Sequence, residues 1–148
     1  MDCRLNVTDD GVKALLKLSK GDMRRVLNIL QSTHSAYETI DGNAVYQCTG
    51  SPMPGDISTI LDILLNADTT TAFREIMKLK VQKGIALVDI LGEMVPLLDV
   101  MDLPRQVRVV VLEGMAKMEE NLASGCSEKI QVGGLVATFK SGLGLIKV

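Results

Sequence analysis

Apolar residues in this chain recur at spacings of three and four almost from end to end, and one short stretch breaks the rhythm: Thr49-Gly50-Ser51-Pro52-Met53-Pro54-Gly55. A three-four spacing lines side chains along one face of a helix. Two prolines and two glycines within seven residues cannot continue one. The combination predicts an all-α chain in two parts, residues 1–49 and 56–148, joined by a linker at 50–55.

In the first part, Thr8 is placed to cap a helix whose first turn carries Asp9 and Asp10. Val12, Leu15 and Leu16 form its apolar stripe, and Gly21 ends it. A second helix runs from Asp22 towards Ala36, with Met23, Val26, Leu27 and Leu30 at i, i+3, i+4 and i+7. A short third helix spans Asn43 to Cys48 and carries Val45 and Tyr46. Three helices in about 50 residues bury little surface, so this part is marginal as an independent fold.

The second part predicts five longer helices. Asp56 caps one bearing Ile57, Ile60, Leu61 and Leu64. The next covers Thr69 to Lys83, with Phe73, Ile76 and Met77 inward and Gly84 as its stop. Leu87, Ile90, Leu91, Met94, Leu98 and Met101 hold one stripe through a third, although Pro96 should kink or split it. Pro104 suits the first position of a fourth helix carrying Val107, Val111, Met115, Met118 and Leu122. Val109, Val110 and Leu112 extend its apolar surface nearly all round, which predicts burial on all sides. The valine run also reads as a strand, but the flanking stripe favours a helix. Val132, Leu135, Val136, Phe139, Leu143 and Ile146 define the last helix, weakened by Gly133, Gly134, Gly142 and Gly144. The apolar faces exceed what a small bundle covers, so association with partner helices is expected.

Composition excludes several classes of function. Net charge is −2 with lysine and arginine dispersed, so no strong basic face announces a free-standing nucleic-acid binder. Arg74, Lys78, Lys80 and Lys83 read as a solvated helix face. Cys3, Cys48 and Cys126 are far apart and form no CxxC, so a zinc site or a disulfide framework is not indicated. His34 is the only histidine and has no partners at ligand spacing. The start at Met1 does not read as a signal peptide, and no apolar run approaches the roughly 18 residues needed to span a bilayer. A soluble intracellular chain without membrane partners is the expectation. There is no Walker A motif, no GxSxG and no HExxH. Asp9-Asp10 and Glu119-Glu120 are sequence neighbours whose side chains diverge on a helix. No catalytic residue is assigned, and by itself the chain is not expected to be an enzyme.

One cluster stands out: Gly21-Asp22-Met23-Arg24-Arg25. Two arginines in the first turn of a helix oppose its dipole. Spacing leaves two readings. They are surface charges screened by Asp22 and water, the commoner situation. Alternatively, an anion docks there, and free N–H groups and guanidinium forks converge on it.

The stretch from Leu18 to Thr33, LSKGDMRRVLNILQST, closely resembles the lid-domain signature of the eukaryotic replication factor C small subunits. Val45-Tyr46-Gln47-Cys48-Thr49-Gly50-Ser51-Pro52 follows at the expected distance. Its Cys-Thr-Gly element points to the branch numbered subunit 5 in animals and subunit 3 in yeast and plants. Lys83 to Leu91 and Glu128 to Val132 resemble the collar of the same family.

The resemblance implies a pentameric AAA+ clamp loader, which uses ATP to open the sliding clamp and place it on primer-template DNA in replication and repair. Residues 1–49 would be the lid, and 56–148 the helical collar that holds the ring together. The nucleotide-binding core, with Walker A, Walker B and the arginine finger, would lie before Met1. Arg24 matches the sensor 2 arginine, which reaches the nucleotide phosphates from the lid. A rigid, permanently charged fork at that place can report a γ-phosphate. Gly21 would let the backbone pass close, and Met23 would line the base pocket. ATP is the implied cofactor; Mg belongs to the intact family member, with no ligand in this chain. Other replication factor C subunits are the implied partners, and the implied location is the nucleus. Pro96 and the glycine-rich tail depart from the family pattern. A helical adaptor without a nucleotide role is the alternative.

Overall fold

A computed structural model describes residues 5–147, and the chain divides after Ser51 into two compact units. Cys3 and the start at Met1 lie outside the described residues.

The first unit holds α1 (Asp9–Ser19), α2 (Met23–Ala36) and α3 (Gly42–Thr49). It also contains two short parallel strands, β1 (Asn6–Val7) and β2 (Thr39–Ile40), with Asn6 opposite Thr39 and Val7 opposite Ile40. Two residues are too few for an alternating pattern to show in sequence, so these strands were not expected. Thr8 caps α1, accepting the Gly11 amide at 3.2 Å, while its own N–H donates to the Ile40 carbonyl at 3.1 Å. A Cβ at Gly11 would collide with that same carbonyl, so α1 lies against β2 as only glycine permits. Asp10 accepts the Gly42 amide at 2.9 Å and so joins the starts of α1 and α3. Its hydrogen bonds from the Thr8 hydroxyl and then the Gly42 amide hold its carboxyl below the usual range.

The inward faces of this unit differ from the expected stripes. Gly11, Ala14, Leu15 and Leu18 are buried on α1, whereas Val12 and Leu16 are 44% and 61% exposed. On α2 the inward line is Val26, Ile29, Leu30 and Thr33, with Met23 and Leu27 exposed. At Gly11 the Ile40 carbonyl leaves no room for a side chain, so the inward face of α1 is the one that carries this glycine, and Val12 and Leu16 turn outward. Lys20, rather than Gly21, is the C-cap of α1, with φ of 52°.

The second unit is a bundle of α4 (Pro54–Asn66), α5 (Thr69–Lys83), α6 (Leu87–Val100), α7 (Arg105–Ala123) and α8 (Glu128–Gly144). A 3₁₀ turn, Leu145–Lys147, closes it. Helix α8 packs against α4, α5 and α7. Ile60, Leu64, Ile76, Ile90, Met94 and Phe139 are among the side chains buried in the core between them.

Several boundaries shift. Helix α4 begins at Pro54, which occupies the first turn; Asp56 is therefore inside the helix, 3.3 Å from Lys83, and does not cap it. Pro104 is the N-cap of α7 rather than its first residue. Helix α6 runs unbroken through Pro96. Both Pro96 and Gly92 are exposed, so the carbonyl that the proline leaves unbonded faces water. Helix α7 is not buried all round: Val109 is 54% exposed, while Val110 and Leu112 are half-buried. Ile146 leaves the last helix for the 3₁₀ turn, where it is exposed. The glycines of α8 do more than weaken it. Gly142 is buried, and a Cβ there would sit 3.4 Å from Val107 and Val111.

Candidate functional site

The turn between α1 and α2 sets the geometry of the candidate site. Lys20 and Gly21 both take left-handed backbone, with φ of 52° and 86°. This reverses the chain within two residues, and the Asp22 amide donates back to the Ser19 carbonyl at 3.0 Å. A Cβ at Gly21 would meet nothing within 4 Å, so within this chain the left-handed φ accounts for the glycine.

Asp22 is the N-cap of α2. Its Oδ1 accepts the amide of Arg24 at 2.9 Å and that of Arg25 at 3.4 Å. Two of the free N–H groups expected to greet an anion are therefore already engaged. An anion here would be met by guanidinium forks, not by those amides. Met23 is 68% exposed and takes no part in the core. Arg24 and Arg25 are exposed, and among the described residues neither side chain has a hydrogen-bond or ion-pair partner. Gly21, Met23 and Arg24 thus lie together on one exposed corner, with Arg24 available to an incoming oxyanion.

Among the described residues no group of His, Cys, Asp and Glu is arranged to hold a metal ion, and no helix is long and apolar enough to cross a membrane. A cleft of about 290 Å³ in the second unit, lined by Ser58, Leu61, Asp62, Leu97, Val100 and Met101, contains none of the three candidate residues.

The second unit holds a polar junction that spacing did not reveal. Glu128, in the first turn of α8, pairs with Lys80 near the end of α5 and accepts the Leu87 amide at the start of α6. It joins the two segments that carried the collar resemblance. Charge at positions so distant in sequence gives no periodic signal, so only the fold exposes the link. Arg108 performs a similar service, donating from Nη2 to the Met101 carbonyl at 2.8 Å and tying α7 to the loop before it.

Residues 52–138 match the family described as the Replication factor C C-terminal domain. Replication factor C subunit 5 of Mus musculus is 49% identical over 92% of this chain and 40% of that protein. The Homo sapiens protein of the same name is 48% identical over 93% of this chain and 40% of its own length. Replication factor C subunit 3 of Schizosaccharomyces pombe is 42% identical over 95% of this chain and 41% of its own. The chain therefore spans about 40% of the length of these relatives. Their names are those of the branch to which Cys48-Thr49-Gly50 points. The match over residues 52–138, on an all-helical bundle, establishes that this chain belongs to the replication factor C family.

Proposed function

We propose that this chain supplies the lid and collar of a clamp-loader subunit. In this reading residues 1–49 are the lid, 56–148 are the collar that binds neighbouring replication factor C subunits, and 50–55 link them. Arg24 reaches the phosphates of ATP held by a nucleotide-binding core outside this chain. Mg enters with that core. The assembled ring then acts in the nucleus on the sliding clamp and primer-template DNA. The observation that carries the nucleotide role is the exposed Arg24 in the first turn of α2, whose side chain has no partner among the described residues, where the helix dipole disfavours a cation unless an anion joins it. The collar role rests on the family match over residues 52–138.

The test is Arg24→Ala in a full-length subunit, read by ATP-dependent clamp loading. A loss of tenfold or more is expected, since an arginine on a transferring phosphate contributes several kcal/mol, of order 10³-fold in favourable cases. Unchanged loading would overturn the reading. One observation favours the rival, a helical adaptor with no nucleotide role: Asp22 already satisfies the amides at the same helix end. That rival predicts no loss in the same experiment. For assembly, sedimentation of this chain with other small subunits should show complexes. A strictly monomeric chain that ignores them would count against the collar.

A further inference from the structure

We infer that Asp22 is a positioning residue for Arg24. The inference rests on the reading of Arg24 as a phosphate sensor. A carboxylate beside two arginines has two choices: it can pair with a guanidinium and cancel it, or bond the backbone and leave the guanidinium free. The structure takes the second course. Oδ1 lies 2.9 Å from the Arg24 amide and 3.4 Å from the Arg25 amide, and it forms no ion pair with either side chain.

Three consequences follow from the placement. The cap fixes the residue at which α2 starts, and so the root from which the Arg24 side chain extends. It occupies amides that would otherwise draw an anion onto the helix axis, so the oxyanion meets the guanidinium instead. Its negative charge also offsets the clash between two cations and the positive end of the helix dipole. A long side chain recognises a phosphate well only if its root is fixed, because a small misplacement at the base is carried to the tip. The Lys20-Gly21 reversal delivers Asp22 to the cap with its own amide bonded to Ser19 at 3.0 Å, so the cap is itself anchored.

The experiment is a cycle of Asp22→Ala, Arg24→Ala and the double variant in a full-length subunit within its assembled complex. ATP is the probe, and the readouts are KM, kcat and Tm. Asp22→Ala should raise KM for ATP several-fold, with kcat recovered at saturating ATP. Asp22→Asn, which keeps a capping oxygen, should stay within about twofold. In the Arg24→Ala background the Asp22 effect should vanish. Should Asp22→Ala fail to assemble, Asp22→Glu reads the same coupling by moving the carboxylate one methylene. A KM change that persists in full without Arg24 would overturn the inference, as would an unchanged KM in Asp22→Ala when Arg24→Ala raises it. Unchanged KM and unchanged kcat in Arg24→Ala would remove the phosphate reading, and this inference with it.

Discussion

Glu128 caps a helix that is not its own. Its Oε1 accepts the backbone N–H of Leu87 at 3.1 Å, across 41 residues of sequence. Helix α6 has Ala86 at its N-cap and no side-chain cap from its own neighbourhood, so Glu128 takes that part. Its other oxygen pairs with Lys80, whose side chain is only 15% exposed. One carboxylate thereby ties the end of α5 and the start of α6 to the start of α8, where the helix dipole also favours its charge.

Removing this carboxylate should loosen the second unit. Glu128→Ala strips the Leu87 amide of its partner and leaves Lys80 partly buried without a counter-charge. A loss of about 1–2 kcal/mol is expected; Glu128 is 40% exposed, so solvent screening keeps the value below that of a buried pair. Glu128→Gln keeps an acceptor for Leu87 and should cost less. The pH dependence follows from the direction of its shift. The Lys80 hydrogen bond, chiefly, holds the Glu128 carboxyl below its usual range, with the Leu87 amide and the Lys80 charge adding to it and burial opposing. The unfolded chain therefore binds this proton more readily. The stabilisation is fully present above about pH 4.3, the unperturbed value for glutamate, and is lost as pH falls through the depressed folded-state value. Urea unfolding between pH 3 and pH 7 checks this: the acid-side slope should be shallower in Glu128→Gln.

The residues that declared themselves in sequence were those where local chemistry and long-range packing agree. Helix α5 runs from Thr69 to Lys83 and stops at Gly84, as its spacing and its glycine predict, because Gly84 takes the left-handed conformation that ends a helix. Legibility failed where tertiary packing chose between two faces. Val12 and Leu16 out-compete Gly11 and Ala14 on any scale of apolarity, yet the small pair faces inward, and at Gly11 the Ile40 carbonyl approaches too closely for any side chain. Arg24 lies between these cases. Its exposure at the start of α2 follows from Asp22 as cap, but what it touches is not encoded in spacing, and the phosphate role proposed for it rests on resemblance. Asp22 and Glu128 are both caps. Only Asp22 was readable, because its amides lie two and three residues away.

Gly114 should be intolerant of any side chain. A Cβ on it would stand 2.8 Å from the hydroxyl oxygen of Thr138 and 3.2 Å from its Cβ, with the methyl closer still. A β-branched side chain on a helix has little freedom to swing away. Gly114→Ala gains about 1 kcal/mol of helix propensity but overpacks the contact between α7 and α8, at a typical cost of about 1–3 kcal/mol. A net destabilisation is expected, seen as a lower Tm. Thr138→Ala in the same chain removes the two closest atoms and should recover most of the loss. If the double variant is no more stable than Gly114→Ala alone, the clash is not the cause.

The α1–α2 reversal stores a conformational cost at a lysine. A non-glycine residue in the left-handed region gives up roughly 1–2 kcal/mol, and Lys20 is such a residue at φ of 52°. Lys20→Gly relieves this while widening the unfolded ensemble, so a net gain of about 0.5–1 kcal/mol is expected. Gly21→Ala, one residue later at φ of 86°, should move stability the other way by about 1 kcal/mol. Opposite signs from adjacent positions, measured by thermal unfolding, would be hard to obtain from any general effect on solubility or charge.

Pro96 costs this chain stability and gives the core nothing in return. Met94 and Leu98 stand on either side of it, and both are fully buried in the same cluster, so the inward face of α6 is continuous without help from the proline. The ring itself is exposed, and so is Gly92, whose carbonyl it leaves unbonded. Pro96→Ala restores that hydrogen bond and a strong helix former at one step. The intrinsic preference is about 3 kcal/mol in a helix interior; α6 has already adjusted to the proline, so a gain of about 1–2 kcal/mol is expected. For a chain of this size that raises Tm by roughly 2–8 °C, with helix content by circular dichroism unchanged or slightly higher. A fall in Tm would mean that α6 depends on a bend at Pro96 to seat Leu97 or Leu98, and that the proline serves the core after all.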